Sequence, residues 1–384
     1  MCDTNLAVPY RRPDFGLASR EARGHLMGRD VGGALVRRDA ACDGLATRTR
    51  SQRKRSEQGR AMNFLLLLAL ISAFGLWAYG RIAPHWGLVD RPNARSLHEQ
   101  PTVVGGGIVP VTLIVFYLAT SALPELSGSV PLLIGGLMLL GLADDKWGVP
   151  SGIRLACYLA AGLALMLIVM PPEKALSPTS LIITLAGAIV VTWCTNLFNF
   201  MDGADGLAIV QFLCVAVGLG LVSLFGAFDA HDLVMLCALL FACCFPFLWF
   251  NWPPAKMFMG DAGAIPLGFS LALLGLCAFK SASILACVWL ILMMPFLIDT
   301  GLTLCIRTLR GQAPHVAHRD HAYQRLAIKM GGALPVTLGL LGLQVVWQFP
   351  LAVMAVSGEV FPPLLVVLSA IPSLFVVVYA RARA

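Results

Sequence analysis

The chain has 384 residues, 58% of them hydrophobic and only 13% charged, with a mean hydropathy of +0.78. A soluble domain of this length carries about 25% charged residues, so the composition excludes an ordinary soluble enzyme and indicates a membrane protein. The net charge of +7 is local: residues 1–60 hold 13 Lys/Arg against 7 Asp/Glu and the remainder 15 against 14, so no nucleic-acid partner is expected.

Residues 1–61 are Arg-rich and lack both apolar periodicity and the apolar core of a signal peptide. They read as a basic extension, disordered or non-native, with translation starting at Met62. Residues 62–384 read as one integral membrane domain. Its apolar runs have membrane length, roughly 17–25 residues each. They cover about 62–80, 103–122, 129–143, 153–171, 179–196, 207–228, 232–249, 263–279, 281–304, 333–356 and 361–380. The expected fold is all-α and polytopic, with about eleven transmembrane helices. The 11 cysteines show no CxxC pair and read as small buried apolar residues, not disulfides or a zinc site.

Lys and Arg in the loops orient the bundle. With loop 81–102 in the cytoplasm, one side holds Arg81, Arg91, Arg95, Lys146, Arg154, Lys256, Arg307, Arg310, Arg319, Arg325, Lys329, Arg381 and Arg383, and the other only Lys174 and Lys280. The first span then starts outside, so a basic tail before it would have to cross the membrane. That is the reason for starting the native chain at Met62. The polar clusters all lie on the cytoplasmic side.

Residues 87–107 carry Arg91, Arg95 and His98 ahead of the Gly105-Gly-Gly107 turn. The backbone N–H groups of such a turn can hold phosphate, although an ordinary positive-inside loop looks the same in isolation. Asp144 and Asp145 end the third span. Adjacent carboxylates at a helix C-terminus oppose its dipole, so something cationic must offset them: Lys146 as a plain ion pair, a divalent metal, or a protonated-substrate role, although a lone Asp-Asp is more often just a solvated loop. The stretch Asn196-Leu-Phe-Asn-Phe-Met-Asp-Gly-Ala-Asp-Gly-Leu207 ends a hydrophobic run. Carboxylates there are costly beside hydrocarbon, and function is the default reading. If the helix continues, Asn199, Asp202 and Asp205 share a face; the alternative is a polar turn with Asp capping the next span. Asp261, flanked by Gly260 and Gly263, is poised for Mg²⁺. Phe258 or Trp252 could stack on a base or anchor at the interface. In the loop after Arg307, His315, His318 and His321 are interleaved with Arg319 and Arg325. Such cations disfavour a transition metal and suit pyrophosphate.

Carboxylates for Mg²⁺ and basic loops for phosphate on one face form a kit for phosphoryl transfer between a soluble donor and a lipid acceptor. The alternative is a polytopic transporter or flippase of a lipid-linked or anionic solute, which would place charges in midspan and polar groups on both faces.

These clusters, in this order over about 62–330, resemble the polyprenyl-phosphate N-acetylhexosamine-1-phosphate transferases of glycosyltransferase family 4. That family includes the phospho-MurNAc-pentapeptide translocase. The loop His318-Arg-Asp-His-Ala-Tyr-Gln-Arg325 looks like the branch that initiates O-antigen or common-antigen glycans, and Gly260-Asp-Ala-Gly-Ala264 lacks the family's closing serine. The resemblance implies transfer of HexNAc-1-phosphate from a UDP-HexNAc (UDP-GlcNAc, or UDP-FucNAc or UDP-QuiNAc) to undecaprenyl phosphate, releasing UMP. It implies catalytic roles for Asp144, Asp145 and Asp261, with Asn199 and Asp261 at Mg²⁺, for which Mn²⁺ could substitute. Asn196, Asp202, Asp205 and Phe258 would face the nucleotide. Arg95, His98, His318, Arg319, His321 and Arg325 would face phosphate and sugar. The location implied is the bacterial cytoplasmic (inner) membrane, active site to the cytoplasm, with membrane lipid as a partner and a homodimer as one possible assembly.

Overall fold

The computed structural model describes residues 59, 62–92, 100–120, 126, 128–169, 177–226, 228–312 and 318–382. The extension expected at 1–61 lies outside the described residues apart from Gly59, as do Arg95, His98 and His315. All eleven expected spans are helical. They are α1 (Met62–Trp86), α2 (Ile108–Thr120), α3 (Ser129–Trp147), α4 (Ser151–Val169), α5 (Pro178–Met201), α6 (Leu207–Phe225), α7 (His231–Asn251), α8 (Asp261–Ser281) and α9 (Ser283–Leu309), then α11 (Ala333–Ser357) and α12 (Pro362–Ala382). Between α9 and α11 lies the short helix α10 (Ala322–Met330). Two short strands, β1 (Val89–Asp90) and β2 (Thr102–Val103), pair antiparallel.

Among the described residues, nine helices are long and apolar enough to cross a membrane: α1, α4 to α9, α11 and α12. The other two differ for local reasons. α2 has 13 residues, and the last turn of α3 carries Asp144, Asp145 and Lys146, which belong in water. Local chemistry sets the boundaries. Ser177 caps α5 by accepting the Ser180 N–H at 3.1 Å, with Pro178 at the first helical position. Only Ala282, in extended backbone, separates α8 from α9.

Burial sorts the helices into layers. In their most apolar windows α8, α6 and α9 are 78%, 72% and 61% buried, whereas α1, α4 and α12 are 17%, 28% and 28% buried. A helix apolar all round belongs inside, and one with much exposed apolar surface faces lipid. α8 packs against α3 and α5, α6 against α7, and α9 against α12. Where α2 meets α8 the backbones nearly touch: a Cβ on Gly263 would lie 2.6 Å from Gly107 Cα. Inside the bundle Gln344, in a π turn of α11, donates to Gln211 at 2.7 Å and to the Leu292 carbonyl at 2.8 Å. All nine described cysteines are free thiols; Cys194, Cys237, Cys243 and Cys244 are buried as expected, but Cys305 is exposed.

The alternation of helices brings the C-terminal ends of α1, α3, α5, α7 and α9 to one face, with the N-terminal ends of α2, α4, α6, α8 and α10. Contacts between these ends confirm it: Phe258 N–H donates to the Val103 carbonyl at 2.7 Å, and Tyr323 Oη to the Phe200 carbonyl at 2.9 Å. The end of α12 reaches the same face through Arg381, which donates to the Asp320 carbonyl at 3.1 Å.

Candidate active site

At this face a cavity of about 430 Å³ is lined by Asp90, Asp145, Asn199, Asp202, Asp205 and Asp261, with Phe200, Asn251, Phe258, Tyr323 and Gln324 among its other walls. Among the described residues, five carboxylates and no Lys or Arg line it. Three segments far apart in sequence therefore converge, as expected: the end of α3, the turn between α5 and α6, and the start of α8.

The start of α8 is built around Asp145. Its Oδ1 accepts the Asp261 N–H at 2.9 Å and its Oδ2 the Ala262 N–H at 3.1 Å. These are orphan donors of the helix N-terminus, so Asp145 caps α8 from another helix. Gly260 makes this approach possible. Its φ is +71°, and an added Cβ would sit 2.8 Å from Asp145 Oδ2. Asp144 turns the other way. Its Oδ1 accepts the Val149 N–H at 2.6 Å, and its Oδ2 pairs with Arg154 in the first turn of α4. The same guanidinium nitrogen reaches Asp261 Oδ2 at 3.1 Å. The cation paired with Asp144 is thus Arg154, while Asp145 is met by the α8 N–H groups. This corrects the expectation for Lys146, whose ammonium instead sits 4.9 Å from the Trp147 ring centroid.

The stretch after α5 is a turn, not a continued helix. α5 stops at Met201, and α6 starts after Gly206, whose φ of +74° has no place in a right-handed helix. Asn199, Asp202 and Asp205 therefore share a cavity wall but not a helical face. Nor does an aspartate cap α6; Gly206 occupies that position. Its N–H is taken by Asn251 Oδ1 at 3.0 Å, and Asn251 Nδ2 donates to the Met257 carbonyl at 2.9 Å. Asp205 Oδ2 accepts the Ala255 N–H at 2.9 Å. The half-buried Asp202 carboxyl is pushed well above its ordinary range, first by desolvation and then by Asp145 and Asp205. Asn196, one turn back along α5, is not among the lining residues.

Phe258 lines the cavity, while Trp252 faces a separate apolar cavity of about 310 Å³ between α6, α7 and α11. Ala264, where the family has serine, is fully buried and outside the lining. The Gly105–Gly107 turn does not offer its N–H groups to a ligand as expected: Gly106 and Gly107 donate to the Phe258 and Met259 carbonyls at 2.9 and 3.0 Å. The turn is used to dock α2 onto the start of α8.

The basic loop borders the cavity through Tyr323 and Gln324. His318 stacks on His321 at 5.0 Å between centroids and His321 on Tyr323 at 5.9 Å, while Phe200 meets His321 in a tilted contact at 6.1 Å. Tyr323 and Phe200 are lining residues; His318, Arg319, His321 and Arg325 are not. Arg325 pairs with Asp320 at 3.0 Å, and Arg307 pairs with the same carboxylate. Among the described residues no three His, Cys, Asp or Glu converge into a ready-made metal cage. Sequence reasoning passed over Asp90, Arg154, Asn251, Tyr323, Gln324 and Asp299. For Arg154 and Asp299 a signal existed, a charge inside an apolar run.

Fold and site define an all-α polytopic membrane protein with an acidic cavity at one end of its bundle. The sequence profile of glycosyl transferase family 4 matches residues 128–278. The "Probable undecaprenyl-phosphate N-acetylglucosaminyl 1-phosphate transferase" of Bacillus subtilis is 27% identical, over 64% of this chain and 71% of that protein. The decaprenyl-phosphate N-acetylglucosaminephosphotransferase of Mycolicibacterium smegmatis is 28% identical over 68% and 74%. The phospho-N-acetylmuramoyl-pentapeptide-transferase of Caulobacter vibrioides is 30% identical over 58% and 72%. The chain belongs to glycosyltransferase family 4.

Proposed function

We propose that this protein transfers HexNAc-1-phosphate from a UDP-HexNAc to a polyprenyl phosphate, undecaprenyl phosphate in a bacterial inner membrane, working from the cytoplasmic side. The observation that carries the reading is the cavity itself: among the described residues five carboxylates and no Lys or Arg line it, at the face that also holds Arg154, Arg307, Arg325 and Arg381. Two of the relatives carry names of N-acetylglucosamine-phosphate transferases that use undecaprenyl or decaprenyl phosphate, and the positive-inside bias supports the cytoplasmic orientation. Initiation of an O-antigen or related surface glycan is the pathway suggested by the His-Arg-Asp-His loop.

The donor set suits Mg²⁺, with Mn²⁺ as a substitute. Aspartates crowded together favour a cation, and the carboxylates of the described lining suit an ion that takes one or two of them and fills its shell with water and substrate phosphates. Asp261 and Asn199 would hold it, and when bound it would neutralise charge building on the pyrophosphate.

In the reaction a lipid phosphate oxygen attacks the β-phosphorus. That P–O bond forms as the bond from the β-phosphorus to the bridging oxygen breaks, and UMP leaves with the electron pair. A lipid phosphate is ionised at neutral pH, so no strong base is required. The protein's part is position. Asp145 fixes the start of α8 and so the place of Asp261, while Arg154 holds Asp144 and Asp261 together. Phe258 offers a ring to the uracil, with Asp202 and Asp205 on the same wall. The test is transfer of label from sugar-labelled UDP-HexNAc donors to undecaprenyl phosphate by the purified protein. Lipid-linked label that depends on Mg²⁺ and acceptor supports the reading; no lipid-linked label from any of UDP-GlcNAc, UDP-FucNAc and UDP-QuiNAc overturns it.

A further inference from the structure

Asp299 is buried in the apolar run of α9 and is not among the lining residues of the acidic cavity. An ionised carboxylate in such a place is costly unless its oxygens are used. Asp299 Oδ1 accepts the Ala322 N–H at 2.8 Å, and Oδ2 accepts the Tyr323 N–H at 3.0 Å. The Thr303 hydroxyl donates to Oδ1 at 3.3 Å. Ala322 and Tyr323 are the first two residues of α10, whose own N-cap, His321, makes no side-chain cap bond. Asp299 therefore caps α10 from a different helix and places its charge at the positive end of the helix dipole. It also lies 3.4 Å from His321 Nδ1.

The same short segment is also held by α12. Arg381 donates to the Asp320 carbonyl at 3.1 Å and to Thr303 Oγ1 at 2.8 Å. Lys329, at the far end of α10, donates to the Ala380 carbonyl at 2.9 Å. Residues 320–323 are thus held by both a buried acid on α9 and a cation on α12. What they carry is the stack of His318, His321 and Tyr323, and only Tyr323 of the three reaches the cavity.

We propose that Asp299 and Arg381 are positioning residues for the UDP-sugar donor, holding the His318–His321–Tyr323 stack against the cavity wall without touching substrate. This rests on the transferase reading above. The test compares Asp299→Ala, Asp299→Asn and Arg381→Gln with wild type in two measurements on the purified full chain. In hydrogen exchange, Asp299→Ala should speed exchange in peptides covering 320–330 by about tenfold, the size of one lost cap, while peptides from α5 and α8 keep their protection. In kinetics, Asp299→Ala and Arg381→Gln should raise the donor KM by about tenfold and leave the acceptor KM within about twofold. Asp299→Asn, whose amide keeps one acceptor oxygen, should fall between Asp299→Ala and wild type. Unchanged protection at 320–330 would overturn the capping role. Lost protection there with an unchanged donor KM, or with donor and acceptor KM raised equally, would overturn the link to the donor. A wild-type chain without transfer activity would refute the transferase reading instead, and the exchange measurement would still decide whether Asp299 and Arg381 hold the segment.

Discussion

Asp145 places both carboxylate oxygens on the N-terminus of α8, so a side chain marked by its chemistry also builds the helix that carries Asp261. Two substitutions separate these contributions. Asp261→Asn keeps the shape and removes the charge; kcat should fall about 10²- to 10³-fold, read in the transfer assay, with the thermal midpoint little changed. Gly260→Ala keeps every charge and attacks the geometry. Its backbone would be strained at φ +71° and its Cβ would press on Asp145 Oδ2. It should cost about 1–3 kcal/mol of stability, seen as a lower melting temperature in detergent, along with most of the activity. At this scale the sequence revealed which acids matter but not their partners. Lys146 is adjacent in sequence to the aspartate pair, yet the cation that reaches Asp144 is Arg154, ten positions beyond Asp144 and across a turn. Spacing along the chain does not report that kind of proximity.

The basic loop is the element whose behaviour should depend most on pH. Burial, followed by the neighbouring His321, Arg307 and Arg381, pushes His318 down to about 4 from the ordinary 6.5, with Asp320 pulling the other way. The folded loop therefore binds fewer protons than the unfolded chain between those two values. Its stability must fall as pH drops through that window, with the loss complete below about 4. Desolvation works to raise Asp320, but the hydrogen bonds from Arg307 and Arg325 prevail and hold it below the usual carboxylate range. Its contribution is full above the ordinary carboxylate pKa and fades as pH falls below it, so the two effects share a sign. Hydrogen exchange of peptides from 318–330 should quicken as pH falls from 7 to 4 once intrinsic rates are corrected, and His318→Gln should flatten the upper part of that dependence. An unchanged slope in His318→Gln would refute the assignment. Helices were legible because apolar runs of membrane length have few alternatives. Helix ends were less so: the turn at Asp202–Gly206 depends on Asn251 and Ala255, which lie some fifty positions away and take up its backbone and carboxylate.

At the scale of the whole molecule, the bundle buries α6, α8 and α9 and leaves α1, α4 and α12 to lipid. The uneven loop charge predicts which face is cytoplasmic. Alkaline phosphatase fused within the loop between α6 and α7 should be active, and fused after α12 it should be inactive; the reverse pattern would invert the topology. The architecture was legible because composition, run length and loop charge each constrain it separately. The cavity was legible only as a set of clusters on one side. Its closure depends on backbone pairing, such as Gly106 and Gly107 with Phe258 and Met259, which no side-chain pattern announces.

The central claim is that a sugar phosphate moves, and not the sugar alone. The most direct measurement uses UDP-GlcNAc, or whichever donor proves active, labelled with ³²P at the β-phosphorus and incubated with the purified protein, Mg²⁺ and undecaprenyl phosphate. The label should appear in the lipid product, with one unlabelled UMP released for each lipid formed. Label retained in released UDP while the lipid gains only sugar would contradict the claim.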